Sequence, residues 1–436
     1  MQLERHWRQI SWSVLDKSLP LVFGVGFMLL VVRVLPADEL GLQAISSTVL
    51  LTVSQMLRFW VLLPLTKFVA EGTEVRHVAA TGVALYICAS AVLALVIGAG
   101  RGLWADLFDK PALAAVLVPS AFLLLVGSAR DAVGAALEGE RRLRRLFWLD
   151  AAYYTVAIGA LAGWCWMDGR RTAEAVQWFQ TLAAGIGSCL ALAVCWRALA
   201  VRPSRAQAKR LVSLGGYSAA SGLGSTVGQH ADALLAGALM EPRAVASYHV
   251  AKLFFRVFNV LAQAIYQVLM PLVSRLHATG RRGDLRVLYE KSVCFLYLAL
   301  VPLIVILILA APQVYALFYG TRYSDSIPVF RILVASALAL PFASVGSPFL
   351  IGLGRMSTLV WITWLGTILG VALAFGWIPA RGAEGAAAAV FVSAMVGMVA
   401  RTWVLKSDLG FTLTSVAWRT RDALAFVERR LRSVRP

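Results

Sequence analysis

Six polar side chains within one apolar segment are the strongest candidates for chemistry in this sequence. They recur at steps of three or four residues, in the order His249, Lys252, Arg256, Asn259, Gln263 and Gln267. On an α-helix this spacing places all six on one face. Arg256 lies too deep in the segment to extend fully to the membrane surface. Two cations one turn apart, with no acidic neighbour on their helix, predict an anionic partner; an ion pair with Asp232 is the alternative.

Two further apolar segments carry polar stripes of the same kind. One of them has Ser218, Ser221, Ser225, Gln229 and Asp232, and the other has Gln43, Ser47, Ser54 and Arg58. Polar groups in hydrocarbon are costly and usually face a wet cavity. These segments are therefore predicted to line a pore. Arg58 lies near one membrane surface, so a solvated arginine and a functional one are equally compatible with its position.

Titratable groups inside these segments are candidates for binding a coupling ion. Asp232 and His230 are the first, because a partly desolvated carboxylate or an imidazole can bind and release a proton. Asp131 is a third candidate. Arg130 and Asp131 lie within two turns of a segment end, and the reading we favour is that they pair with each other or with other local charges.

Several kinds of site are not expected. The five histidines are scattered, and the five cysteines form no CxxC pair, so we expect no metal site and no disulfide. No GxxxxGK[ST] motif occurs. The loops are too short to fold a catalytic domain. We expect no catalytic residue, no cofactor and no enzymatic activity.

Apolar segments that position these side chains make up most of the chain. Of its 436 residues, 59% are hydrophobic and 15% are charged, whereas a soluble domain has roughly 25% charged residues. A helix that crosses the bilayer needs about 20 apolar residues. We predict twelve such spans, at 14–35, 41–64, 77–99, 112–134, 146–166, 174–197, 212–238, 245–270, 291–311, 329–350, 357–378 and 385–405. The predicted fold class is an all-α integral membrane protein of about twelve transmembrane helices.

The distribution of lysine and arginine predicts the orientation. Segments on the side of the N-terminus hold 28 of the 41 lysines and arginines, the opposite side holds nine, and four lie inside spans. Cytoplasmic segments carry such an excess, so both termini are predicted to be cytoplasmic. The net charge of +18 comes mostly from lysines and arginines in the short segments between spans. Nucleic acid is therefore not an expected partner. The first apolar run is too long for a cleavable signal peptide.

Residues 406–436 are predicted to form a basic amphipathic cytoplasmic tail. Apolar residues from Val416 to Val434 recur at helical spacing among arginines. This pattern is typical of a helix on an anionic leaflet, so anionic phospholipid is an expected partner. Binding to a protein partner is the alternative.

Three pairs of motifs in the same order indicate an internal repeat. They are Pro64–Phe68 with Pro271–Arg275, Leu107–Phe108 with Leu317–Phe318, and Leu137–Arg142 with Ile351–Arg355. Each half has six spans, so both halves enter the membrane from the same side as a parallel repeat. We predict one six-helix bundle in 1–200 and another in 201–405, pseudo-symmetric about a central cavity. A duplication without transport is the alternative.

The sequence resembles the Wzx-type polysaccharide flippases of the multidrug/oligosaccharidyl-lipid/polysaccharide (MOP) exporter superfamily over nearly the whole chain. The motifs that carry the resemblance are Leu317–Gly320 with Tyr323, Gly352-x-Gly354-Arg355, Gly382-x-Glu384-Gly385-Ala386-Ala387, Leu40-Gly41, Phe68–Glu71 and Val245–Tyr248. In the last of these, Ala246 replaces the usual glycine.

The resemblance implies a V-shaped pair of bundles that moves a lipid-linked oligosaccharide, on undecaprenyl pyrophosphate, to the outer leaflet of a bacterial cytoplasmic membrane. It implies coupling to a proton or sodium gradient, and a polysaccharide polymerase and glycosyltransferases as partners. Arg256 and Lys252 are then expected to hold the pyrophosphate, with Arg58 assisting. His249, Asn259 and Gln263 are assigned to the same substrate site.

Three other functions compete with this reading. A multidrug exporter of the same superfamily is the nearest, although the cationic stripe argues against a cargo of organic cations. A membrane-embedded polysaccharide polymerase or ligase usually carries a large external loop, which is not seen here. A transport-inactive scaffold that recruits glycosyltransferases is the third, and the charges inside the spans argue weakly against it.

Overall fold

The structure is a computed structural model of the 436-residue chain. It describes residues 19, 22–24, 26–72, 74–140, 142–165 and 171–419. Within these ranges it does not describe the side chains of residues 165, 197–199, 217, 220, 221, 225, 256, 257, 259, 260, 263, 264, 267, 413 and 417. The chain forms two compact units that divide between Ala246 and Ser247.

Helices account for all the regular secondary structure in the described residues. After helical residues at 22–24 and 26–34, the first unit contains α1 (Ala37–Leu57), a π-helical segment (Arg58–Leu62), α2 (Leu63–Ala70), α3 (Val75–Ala99), α4 (Arg101–Leu107), α5 (Leu113–Gly139), α6 (Leu143–Cys165), α7 (Ala173–Leu199) and α8 (Arg205–Leu239). Helix α9 (Pro242–Ala278) crosses the division. The second unit continues with α10 (Arg282–Leu309), α11 (Ala311–Tyr319), α12 (Ile327–Ser336), α13 (Leu340–Gly352), α14 (Met356–Leu409) and α15 (Leu413–Trp418), with 3₁₀ turns at Ser324–Ser326 and Ala337–Ala339.

The lengths of the helices agree with about twelve membrane crossings. Among the described residues, eight helices are long and apolar enough to span a bilayer. One of them, α14, has 54 residues and is long enough for two crossings of ~30 Å. Helices α8 and α9 have 35 and 37 residues and fall outside that apolar set, because they carry the two longest polar stripes. Residues 22–34 add a short apolar helix.

Helix α8 packs closely against the π-helical segment of the first unit. A Cβ atom at Gly215 would lie 2.0 Å from the carbonyl oxygen of Trp60. Because Pro64 has no N–H, the Trp60 carbonyl lacks its donor four residues on, which accounts for the wide π turn at Arg58–Leu62. Small residues that let two backbones approach are the usual basis of helix packing in membranes. The predicted boundary at residue 200 stays a prediction.

We expect Gly215→Ala to lower the melting temperature of the purified protein. The new Cβ would meet backbone, so only a shift of α8 relieves the clash, and overpacking of this kind costs about 1–3 kcal/mol. Gly216→Ala is the matched control, because a Cβ there meets nothing within 4 Å and alanine favours the helix. Equal melting temperatures for the two variants, measured in detergent, would contradict the described packing.

The internal repeat predicted from the sequence is visible as one packing contact made in each unit. In the first unit, a Cβ at Gly139 would lie 2.8 Å from the carbonyl oxygen of Thr66. In the second unit, a Cβ at Gly352 would lie 2.5 Å from the side chain of Val273. Thr66 and Val273 occupy the same place in the paired motifs, so a glycine packs at the same position in both units.

Lys110 ties the loop after α4 to the end of α8. Its buried ammonium donates to the carbonyl oxygens of Phe108 at 2.8 Å and Gly237 at 2.7 Å. A cation at the C-terminus of a helix is favoured by the exposed carbonyls and by the helix dipole. Burial lowers the pKa of Lys110 from its ordinary value, and the Asp109 carboxylate partly offsets this.

A glycine-rich turn lets α14 contain both of the last two predicted spans. Gly382 has φ 55° and ψ −131°, which only glycine adopts readily. A Cβ at Gly385 would lie 2.2 Å from the Trp377 carbonyl oxygen. An ion pair of 2.6 Å between Arg355 and Asp408 joins the two ends of the helix.

The described part of the predicted tail is packed on the second unit. Helix α14 ends at Leu409 and is followed by Gly410. Beyond it Phe411 and Val416 are buried, and the Phe411 ring lies 4.7 Å from that of Tyr289. Glu290, also buried, accepts from Arg419 at 3.0 Å. Val416 therefore contributes to the protein core. Residues 420–436, which carry the rest of the predicted amphipathic pattern, lie outside the described residues.

Candidate functional site

Arg130 places a positive charge inside a transmembrane helix of the first unit. It precedes the end of α5 at Gly139 by nine residues, or about 13 Å along the helix axis. Its side chain is only 17% exposed. A charge at this depth is expensive unless it has partners, and such residues mark functional sites by default.

Two aspartates compensate the Arg130 guanidinium. Nη2 lies 3.4 Å from Oδ1 of Asp131, and Nε lies 3.5 Å from Oδ1 of Asp150 on α6. Asp150 is 16% exposed, whereas Asp131 is 41% exposed. The favoured prediction, that Arg130 and Asp131 pair locally, is confirmed. Asp131 is the more accessible of the two carboxylates.

Aromatic rings cover the other side of the guanidinium. The Arg130 Cζ atom lies 3.9 Å from the centre of the Tyr153 ring and 5.8 Å from that of Tyr154. The ring of Phe23 lies 4.4 Å from the Tyr154 ring. A cation over the face of an aromatic ring is stabilised by the ring quadrupole, more so where water is excluded. These rings therefore hold the arginine in place.

Helix α7 packs beside Arg130. Ser188 donates to the Val126 carbonyl oxygen at 2.6 Å and accepts from the Arg130 backbone N–H at 3.2 Å. A Cβ at Gly187 would lie 3.3 Å from the Cδ atom of Arg130 and 3.4 Å from the Cβ atom of Tyr153. A glycine at position 187 therefore leaves room for both side chains.

Arg58 belongs to the same group of charges. It opens the π-helical segment, where the wide turn changes which side chains face a given direction. The positive charge of Arg58 acts electrostatically on Tyr86 and Asp150. Two residues predicted for different roles, Arg58 and Asp131, are thus brought into one cluster. We call Arg58, Arg130, Asp131 and Asp150 the charge cluster.

The charge cluster can respond to the binding of a proton or a cation. Its two arginines and two aspartates balance when all four are ionised. Protonation of either aspartate would leave a net positive charge and weaken its contact with Arg130. A proton or a cation bound at either carboxylate would therefore change the balance of charge around Arg130.

Asp232 and His230 lie at a different depth in the first unit. Both are half-buried on α8. A Cβ at Gly222 of the same helix would lie 2.4 Å from the Phe59 ring, next to Arg58. Asp232 is ten residues farther along, or about 15 Å. The structure does not bring it together with the charge cluster.

The predicted substrate residues on α9 share one continuous helix. Lys252 and His249 are half-buried, and the Nζ atom of Lys252 lies 5.9 Å from the centre of the Tyr248 ring. The opposite face carries Phe254, whose ring lies 5.3 Å from that of Phe330 in the core of the second unit. The side chains of Arg256, Asn259 and Gln263 lie outside the described residues.

Sequence reasoning missed Asp150, Tyr153 and Tyr154. Asp150 lies inside the predicted span 146–166, and the rule that a charge inside a span is functional by default would have selected it. The two tyrosines follow at three and four residues, on the same helical face. Their contact with Arg130 joins different helices and could not be read from the spacing. Among the described residues, no group of three or more His, Cys, Asp or Glu side chains is placed to hold a metal ion.

Comparison with known sequences gives one family and one distant relative. The sequence model of a family described as polysaccharide biosynthesis protein matches residues 30–328, which is more than half of the chain. An uncharacterized membrane protein of Methanocaldococcus jannaschii is 24% identical over 216 residues. That match covers 49% of this chain and 43% of the relative, so the chain spans less than half of the relative's length.

Comparison with solved structures identifies the fold. An inward-facing conformation of a multidrug resistance MATE family transporter of the MOP superfamily has a TM-score of 0.76 at 14% identity, covering 91% of this chain and 98% of that one. The lipid II flippase MurJ, in an inward closed conformation, has a TM-score of 0.72 at 11% identity, covering 98% and 93%. The predicted all-α membrane fold of about twelve helices is confirmed.

Proposed function

Because this chain belongs to the family of polysaccharide biosynthesis proteins, we propose that it is a flippase for an undecaprenyl-pyrophosphate-linked oligosaccharide. The predicted resemblance to the MOP superfamily is confirmed by the family match and the shared fold. One protein of that fold is named a lipid II flippase, which supports a lipid-linked cargo here. The cargo crosses the membrane by alternating access and is not chemically changed.

The observation that carries the proposal is the pair of cations on α9. Lys252 and Arg256 stand four residues apart in an uninterrupted helix, which places them on one face within the membrane. Cations inside a span are retained where they bind a charged substrate or partner. A pyrophosphate offers negative charge and acceptor oxygens to two such side chains.

The remaining predicted residues complete the proposed substrate site. His249, Asn259 and Gln263 offer hydrogen bonds to sugar hydroxyls, and the role predicted for Arg58 stays a prediction. The lipid tail stays in the bilayer throughout.

We propose that a proton or sodium gradient drives the transport. Asp131 is supported by its place in the charge cluster, where it is the more exposed carboxylate beside Arg130. Asp232 and His230 remain candidates as titratable groups half-buried within α8. Their separation from the cluster makes them a second possible site for the ion.

A multidrug exporter is the second candidate, and one observation favours it. Asp131 and Asp150 bring two carboxylates together inside the membrane, which suits an organic cation as cargo. Arg130 pairs with both of them, which argues against a cationic cargo.

The proposal also fixes a location and partners. We propose that the protein lies in the bacterial inner membrane with both termini in the cytoplasm, and that arginines of the predicted tail contact anionic phospholipid there. A polysaccharide polymerase and glycosyltransferases work beside it on the same lipid-linked sugar.

Transport measured in proteoliposomes tests the class directly. We expect the purified protein to move a fluorescent undecaprenyl-pyrophosphate oligosaccharide between leaflets, faster under an imposed proton or sodium gradient. Asp131→Asn should remove the response to the gradient and keep the basal rate. Transport of an organic cation with no movement of the lipid-linked sugar would instead establish the exporter.

A further inference from the structure

We propose that a basic cavity at one end of the first unit binds the phosphate headgroup of an anionic phospholipid. The cavity has a volume of about 860 Å³ and lies among the ends of α2, α3, α5, α6 and α7. We call it the basic pocket and define it by Arg76, Arg142, Arg145, Glu140, Val194 and Trp196. Its volume is in the range of about 300–1,000 Å³ that small-molecule sites occupy.

The charge of the basic pocket selects an anion. Arg142 is held by Glu140 at 2.9 Å, so this pair is nearly neutral. Arg76 and Arg145 add two further positive charges to the lining. Arginine presents a planar fork of donors that matches phosphate oxygens. The charge cluster lies deeper in the membrane, so this site is separate from it.

The apolar edge of the basic pocket favours a lipid over a soluble phosphate. Trp196 and Val194, near the end of α7, are both exposed. On a transmembrane helix these side chains face lipid, and tryptophan is enriched at the level of the headgroups. A ligand there meets cations on one side and acyl chains on the other. Basic pockets between transmembrane helices on the cytoplasmic side bind anionic headgroups in this way, and this end is the one predicted to be cytoplasmic.

Cys195 provides a reporter inside the basic pocket. It is half-buried in the lining, between Val194 and Trp196. In a variant that keeps only this cysteine, we expect phosphatidylglycerol to slow its modification by a maleimide, relative to vesicles of phosphatidylcholine alone. Replacing Arg76 and Arg145 with glutamine should weaken the binding of phosphatidylglycerol, read out as protection of Cys195, about fivefold for each arginine removed.

Control variants and a control with inorganic phosphate test whether the protection of Cys195 comes from a lipid bound in the basic pocket. Arg275→Gln with Arg282→Gln removes the same charge at exposed positions of the second unit and should leave the protection intact. Arg76→Gln alone serves if the double variant does not fold. Equal protection by inorganic phosphate in phosphatidylcholine vesicles would overturn the assignment to a lipid. Modification of Cys195 at one rate in both kinds of vesicle would overturn the site itself.

Discussion

Replacing Arg256 with alanine is expected to leave little surface polysaccharide while the amount of protein in the membrane stays unchanged. The proposed flippase must hold a pyrophosphate on α9, and Lys252 would then be the one lysine or arginine left among the polar residues of that face. A hydrogen bond to a charged group contributes about 1.5–3 kcal/mol, so transport should slow on the order of 10- to 100-fold. Surface polysaccharide and membrane abundance can be measured on the same cells.

Two further variants on the same helix sharpen this test. Arg256→Lys keeps the charge and loses the fork of donors, so an intermediate level of polysaccharide is expected. Arg275→Ala removes an exposed arginine from the last turns of α9 and should have no effect. Normal polysaccharide in cells with Arg256→Ala would mean that this side chain does not hold the cargo.

Membrane crossings were predictable because their physical cause is simple. Each crossing needs about 20 apolar residues, and no loop interrupts the apolar runs. The ends of α8 and α9 were not predictable, since both helices continue several residues beyond the predicted spans 212–238 and 245–270. A helix needs apolar side chains only within the membrane, whereas its backbone hydrogen bonds can continue beyond the membrane surface.

The candidate site was predictable only in part, for a related reason. Periodicity along one helix selected Arg58 and Asp131, but it carries no information on which helices touch. The charge cluster depends on α6, which places Asp150 beside Arg130. A contact between two helices is not encoded by the spacing within either one.

Replacing Arg130 with alanine is expected to lower the melting temperature and to stop transport. Arg130 and Asp150 are each less than one fifth exposed. Removing one partner of a buried pair leaves an uncompensated charge and costs about 3–5 kcal/mol. The substitution would also remove the cation beneath the Tyr153 ring. Arg101→Ala, at an exposed position, should change stability by less than about 0.5 kcal/mol.

A double-mutant cycle separates the ion pair from general packing at this position. Arg130→Ala should lower the melting temperature because the Asp150 carboxylate is left without its cation. Asp150→Asn in the same chain should then recover part of the melting temperature, because the effects of substitutions at residues in contact are not additive. Asp150→Asn alone leaves Arg130 paired with Asp131, so its own effect on stability should be smaller. Strictly additive losses in the double variant would show that the aspartate does not stabilise the arginine. Transport restored together with stability would assign the cluster a structural role, whereas stability restored without transport would place Arg130 in the transport cycle itself.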